Sequence, residues 1–317
     1  LSDNLQQTDV LTVPRFANIA TFMRAANKPV DAGLDIAITG VPFDLGTAFR
    51  IGARFGPASI REQSRHVRLI HQTLGFSPFD LCRIADIGDS AVQSFSIPKS
   101  VGLIEGHFRA IADAGAVPLA IGGDHTITLP ILRAIVRKSP IGLIHFDAHS
   151  DTLDTLQGER IFNGSPFRRA VEEGLLDPER CVQVGIRETL FDRDDHDWAK
   201  SVGITMIFME EFNRRSVPEI IAQMRSIVGT GETYMSLDID SLDPSVAPGT
   251  GAVEPGGFSV REMQAMLVGL LGVRFIGADL PEVSPLYDEN GRTARVAAAL
   301  AFDQLCLLAH ARCLLDN

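Results

Sequence analysis

Three short stretches of this chain concentrate the side chains that hold metal ions. Asp147, His149 and Asp151 stand at alternate positions after the apolar run Ile141 to Phe146. Gly122-Gly123-Asp124-His125 follows the run Val117 to Ile121, and Asp238 and Asp240 stand two apart after Thr233 to Ser236. If the backbone stays extended, period-two geometry turns alternate side chains to one side. Carboxylates and imidazoles converging at the end of a buried strand are costly to desolvate without a counter-charge, and a metal ion supplies one. His125, Asp147, His149, Asp151, Asp238 and Asp240 are therefore the candidate ligands. Four carboxylates are too much negative charge for one divalent ion; they suit two, with aspartates bridging. Oxygen-rich ligation with some imidazole favours manganese, with nickel or cobalt as alternatives, over a thiolate-type zinc site. Ions about 3.5–4 Å apart can share a hydroxide and make it a nucleophile near neutral pH. Singly, each stretch has a plainer reading, with Asp124 as a helix cap and Asp243-Pro244 as a turn. Recurrence after three apolar runs carries the metal reading.

The elements that must position these residues alternate. Strands are expected at Asp35 to Val41, Leu81 to Ile87, Val117 to Ile121, Gly142 to Phe146, Cys181 to Ile186, Ile204 to Phe208, Thr233 to Ile239 and Arg274 to Ala278. Helices lie between most of them: Pro57 opens one at about 58–71, Pro98 starts one reaching about 114, and Ala- and Leu-rich 293–315 is largely buried. This pattern reads as α/β, with a mainly parallel sheet of about eight strands. Residues 1–34 show no strong period and read as an N-terminal arm; 35–317 read as a single domain. In such sheets reactive groups collect beyond the carboxyl ends of the strands.

Composition narrows the class. The formal net charge of -11 argues against nucleic acid or an anionic membrane as partner. No run is read as long and apolar enough for a membrane span, and the N-terminus lacks a signal-peptide layout. Cys82, Cys181, Cys306 and Cys313 are scattered, which suits free thiols and a cytoplasmic setting. No Gly-x-Gly-x-x-Gly follows the first strand, so a nucleotide-binding reading is weak. His145 alternates with apolar neighbours and reads as packed against the ligands rather than as one of them, while His66 and His71 are expected on one helix.

The chain resembles the ureohydrolases, the family of arginases, agmatinases and guanidino-acid hydrolases. The likeness rests on Gly52 to Pro57 (Gly-Ala-Arg-Phe-Gly-Pro), Gly122 to His125, Asp147 to Asp151 (Asp-Ala-His-Ser-Asp), Ser236 to Pro244, Ala247 to Gly251 and Glu282 to Pro285 (Glu-Val-Ser-Pro). The Pro14-Arg15-Phe16 arm looks most like bacterial guanidinobutyrases and guanidinopropionases. The resemblance implies a three-layer α/β/α sandwich, assembled as trimers or hexamers. It implies one ion at His125, Asp147, Asp151 and Asp238, and another at Asp147, His149, Asp238 and Asp240. It also implies attack of a metal-bridging hydroxide on a guanidinium carbon, releasing urea or a urea-like product and an amine. Glu282 matches the carboxylate that grips the guanidinium, and Asp151 is a candidate proton donor.

Two departures bear on the substrate. Relatives carry His-Gly-Thr-Pro-Phe where this chain has Asn163-Gly164-Ser165-Pro166-Phe167, and an amide cannot shuttle a proton near pH 7. Leu153 stands where many relatives have Asn, and Thr155, Leu156 and Gln157 are expected around the pocket mouth. Ala252-Val253-Glu254 also replaces the usual Thr-Pro-Glu. An apolar wall at Leu153 suits an N-alkylated guanidine or biguanide, such as metformin cleaved to guanylurea and dimethylamine. A reading of another class is a metal-retaining, poorly active subunit of a mixed oligomer. Asn163 favours it mildly, and the full ligand set opposes it.

Overall fold

The computed structural model describes residues 5–31 and 33–315. Apolar runs become strands β1 (Ala26–Asn27), β2 (Ile36–Gly40), β3 (Ile84–Asp89), β4 (Val117–Ile121), β5 (Ile141–Phe146), β6 (Leu176–Ile186), β7 (Thr205–Phe208), β8 (Thr233–Leu237) and β9 (Phe275–Leu280). They form one sheet in the order β1-β3-β2-β4-β9-β8-β5-β6-β7, with every pairing parallel. All eight expected strands are present. The ninth, β1, lies in the expected arm; two residues are too few to show a period, and its ladder to Ala85 and Asp86 defines it. Positions 1–4 and 32 of that arm lie outside the described residues.

Side-chain parity sorts the strands onto two faces. Ile36, Ile38, Leu119, Ile121, Ile144, Phe146, Met235 and Leu237 join one buried cluster, while Ala37, Ala120, Ile141, Leu143, Cys181 and Tyr234 join the other. Helices Gly56–Ser64, Val217–Val228, Val260–Gly269 and Arg292–Leu315 cover the first face. Ile97–Asp113, Thr128–Ile135 and Pro166–Glu172 cover the second. A three-layer α/β/α sandwich results. With both faces covered, strands of near-continuous apolar sequence are what the architecture requires.

Two expectations need correction. The stretch Glu289–Leu314 does reach membrane-spanning length and apolarity, but 72% of its most apolar window is buried inside the molecule. Its apolarity is that of a core helix. The helix expected to run to His71 ends at Ser64, where Arg65 turns its guanidinium onto the carbonyls of Arg15, Ala17 and Asn18. His66 and His71 therefore do not share a helix, and His71 Nε2 lies 3.0 Å from Asp303.

The same N-terminal segment is pinned by a buried carboxylate. Asp86 accepts hydrogen bonds from the backbone N–H of Phe22 (2.8 Å), from Arg61 Nε (2.9 Å) and Nη2 (3.1 Å), and from the N–H of Gly88 (2.9 Å). The Arg61 guanidinium stacks over the Phe22 ring at 4.1 Å. Removing one partner of such a buried pair costs about 3–5 kcal/mol. Asp86→Ala is therefore expected to lower the unfolding free energy by about that amount in urea titration, with metal uptake by the folded protein unchanged.

Candidate active site

The candidate ligands lie beyond the carboxyl ends of β4, β8 and β5, and Glu282 lies beyond β9 between β4 and β8. Here the winding of the sheet jumps, because the chain leaves β4 and resumes at β5 with two later strands between them, the place where open parallel sheets bind ligands. Extended backbone does not persist past the strand ends, contrary to the sequence expectation. Each segment instead folds back on an aspartate that accepts the N–H two residues on. Asp124 Oδ1 takes Thr126 N–H (2.9 Å), Asp147 Oδ1 takes His149 N–H (2.6 Å) and Asp238 Oδ1 takes Asp240 N–H (2.8 Å). These Asx turns, not the pleat, gather the site. Gly123 adopts φ +78°, and a Cβ there would sit 2.6 Å from Val41 O, so glycine is required for His125 to turn inward.

His125 Nδ1 lies 2.9 Å from Asp151 Oδ2, 3.0 Å from Asp238 Oδ2 and 3.2 Å from Asp147 Oδ2. His149 Nδ1 lies 3.2 Å from Asp240 Oδ2 and 3.3 Å from Asp147 Oδ1. The six side chains thus form two groups that share Asp147. Asp124 and Asp243 stay out of both, holding turns through Thr126, Ser245 and Gly256. His145 is fully buried, with Nε2 2.7 Å from Asp147 Oδ2.

Burial pushes the Asp151 carboxyl up to about 7 and that of Asp240 to about 6, and raises Asp238 as well. Burial also opposes ionisation of Asp147, yet the facing His145, His125 and His149 hold it well below the usual range. Although burial opposes their protonation, both His125 and His149 are raised by the carboxylates around them. Without cations the cluster retains protons in their place. His125 Nδ1 is buried and forms no hydrogen bond although three carboxylates face it. A ring nitrogen aimed at a point among oxygens is what a cation ligand presents once its proton is displaced. This donor set fits divalent ions, which His125, Asp147, Asp151 and Asp238 would hold on one side and Asp147, His149 and Asp240 on the other.

A cavity of about 320 Å³ opens over the cluster. His149, Asp151, Asp238, Asp240 and Glu282 form its floor, and Leu153, Leu156, Phe162, Leu190 and Phe191 its walls. Glu282, just past β9, adopts φ +66°, a strained value of the kind found at functional sites. Its Oε1 accepts the His125 N–H (2.9 Å) and Asn163 Nδ2 (3.2 Å), which leaves Oε2 to the cavity. Burial pushes this carboxyl up to about 8. Thr155 borders a neighbouring cavity instead, and Gln157 is exposed. Sequence reasoning missed Glu188, whose Oε1 takes the Ser150 N–H (2.8 Å) and His196 Nε2 (3.0 Å) beside the cavity. It missed Asp279 too, although a carboxylate inside an apolar strand was a visible signal.

An all-parallel α/β/α sandwich with a carboxylate–imidazole cluster at its strand ends has the build of a metal-dependent hydrolase. The model of the arginase family matches residues 34–306, and the chain belongs to that family. It is 47% identical to a guanidinopropionase of Pseudomonas aeruginosa over 97% of both chains. It is 44% identical to a guanidinobutyrase of the same organism over 93% of this chain and 94% of the relative. Proclavaminate amidinohydrolase of Streptomyces clavuligerus superposes with a TM-score of 0.91 at 38% identity, over 94% of this chain and 99% of that one.

Ligands that retain protons must release them to a cation. Manganese binding by metal-free protein is therefore expected to release protons, and apparent affinity to fall as pH drops through the Asp151 and Asp240 values of about 7 and 6. Calorimetry in buffers of different ionisation enthalpy checks this. Affinity that holds constant between pH 8 and 5.5 contradicts it.

Proposed function

We propose that the protein hydrolyses a C–N bond of a guanidino compound, giving urea or a urea-like product and an amine. The observation that carries this reading is the juxtaposition, at one cavity, of two carboxylate–imidazole groups sharing Asp147 with the Glu282 carboxylate that accepts the His125 N–H. Two divalent ions, manganese by preference of the donor set and nickel as the alternative, would supply activated water and polarise the reacting carbon. The chain's own residues do the rest. Glu282 offers Oε2 to a guanidinium N–H through a charge-assisted hydrogen bond, while the His125 N–H and Asn163 hold its other oxygen in place. Asn163 has no titrating proton, so the proton for the departing amine must come from another group at the cavity.

The wall favours a second substrate class. Leu153, Leu156 and Phe162 present apolar surface above the floor, which suits alkyl groups on a guanidine or biguanide nitrogen, as in metformin, better than a charged tail. Arg50 lines the same cavity and supports the guanidino-acid reading, since its guanidinium can pair with a carboxylate tail. Exposed apolar side chains of the N-terminal segment, Leu11 (91%), Phe16 (85%) and Ile19 (89%), support assembly as a homo-oligomer.

Steady-state assays of the purified chain alone, loaded with manganese or nickel, decide among these. Candidate substrates are 3-guanidinopropionate, 4-guanidinobutyrate, agmatine, arginine and metformin. Asp238→Ala is expected to lower kcat/KM by at least about a thousandfold, the scale of losing the water-activating centre. Leu153→Asn is expected to shift kcat/KM toward unalkylated guanidino acids by about tenfold, the scale of one altered apolar contact in a pocket. No turnover of any guanidine with both ions bound would leave the partner-subunit role in its place.

A further inference from the structure

Two residues before the ligand aspartates the sheet carries an unusual row. Gln183, His145, Ser236 and Asp279 lie side by side on β6, β5, β8 and β9, in direct register from strand to strand. All four are fully buried. Their chain neighbours Ile144, Phe146, Val182, Val184, Met235 and Leu237 are apolar, as a covered parallel sheet demands. Polar groups in such a place are destabilising unless hydrogen-bonded, so where their bonds go is informative.

They go upward to the ligands, along two separate arms. In the first, Gln183 Nε2 lies 2.5 Å from the Ser150 carbonyl and 3.0 Å from His145 Nδ1. Only the amide nitrogen can face a carbonyl, which fixes the amide orientation. Gln183 therefore donates to His145 Nδ1, and the His145 proton sits on Nε2, donating to Asp147 Oδ2 at 2.7 Å. In the second arm Asp279 Oδ2 accepts from Thr128 Oγ1 (2.6 Å) and Tyr234 OH (2.9 Å), and Oδ1 accepts from Ser236 Oγ (2.6 Å). With its proton committed to Asp279, the Ser236 hydroxyl can only accept at the 2.8 Å contact with His125 Nε2. When a cation takes Nδ1, His125 thus keeps its proton on Nε2, with Nδ1 facing Asp147, Asp151 and Asp238.

We propose that Ser236 and Asp279 are positioning residues that select the Nε2–H tautomer of His125 and so tune one of the two metal sites alone. His149, which serves the other site with Asp240, makes no contact with either residue among the described hydrogen bonds. This rests on the reading that the cluster holds two divalent ions. Groups that orient a metal-bound imidazole typically change affinity by about 10–100-fold when removed. The neighbouring arm sets a contrast, because its target Asp147 is shared between both groups.

The test is manganese titration of the full chain after chelation, followed by calorimetry and by metal analysis after desalting. Wild type is expected to bind two ions per chain. Ser236→Ala is expected to weaken one of them by about 10–100-fold and to leave the other at wild-type affinity, so that desalted protein retains one ion. Ser236→Thr keeps the hydroxyl and is expected to retain both. Asp279→Asn keeps the side-chain volume and provides the same comparison if Ser236→Ala folds poorly. In zinc-loaded protein, ¹⁵N-histidine NMR is expected to report a protonated Nε2 at His125 in wild type and its loss of definition in Ser236→Ala. Unchanged affinity for both ions in Ser236→Ala overturns the proposal, as does equal weakening of both. Wild type binding fewer than two ions overturns the two-ion reading instead, and the two failures are distinct.

Discussion

The constraint on which the structure depends is the repulsion among Asp147, Asp151, Asp238 and Asp240, largely buried side chains gathered at and just beneath one cavity. Ionised carboxylates taken out of water repel one another and lose their hydration. Three imidazoles, His125, His149 and His145, with the Arg187 guanidinium nearby, face these four carboxylates among the described residues, too little positive charge unless cations or retained protons join them. The rest of the fold can be understood as the means of tolerating that arrangement. Asx turns rigidify each segment locally, a left-handed glycine frees His125 to turn, and strained backbone at Asp151 and Glu282 is held by the surrounding packing.

Much of this was legible in the chain itself. Strands buried on both faces appear as short apolar runs, so β4 and β5 could be located almost to the residue, and ligands placed immediately after them were conspicuous by type. What could not be read depends on pairing between distant segments. The register that sets Ser236 beside Asp279 exists only once β8 and β9 are joined. The Asx turns were hidden because alternation of Asp and His at two-residue spacing fits an extended chain and a turn equally well. The helix end at Ser64 coincides with Arg65 reaching carbonyls about fifty positions away in sequence, a pairing no local reading of the chain shows.

The cavity combines two opposing tendencies. Its floor is rich in carboxylates, with Glu282 fixed through one oxygen by the His125 N–H and Asn163. Its wall at Leu153 and Leu156 is apolar. A histidine at the Asn163 position would compete for Glu282 as a titrating group; the amide instead holds that carboxylate without changing charge.

Strand order has a consequence for how the protein comes into being. β9 is the last strand to be synthesised, yet it lies between β4 and β8 and is the bridge joining β1–β4 to β5–β8. Until residues 275–280 leave the ribosome, the nascent chain holds two half-sheets without a seam. His125 belongs to one half, and Asp147, His149, Asp151, Asp238 and Asp240 belong to the other. Meeting of His125 with the five other side chains therefore waits on closure of that seam, whereas Asp147, His149, Asp238 and Asp240 already share one half.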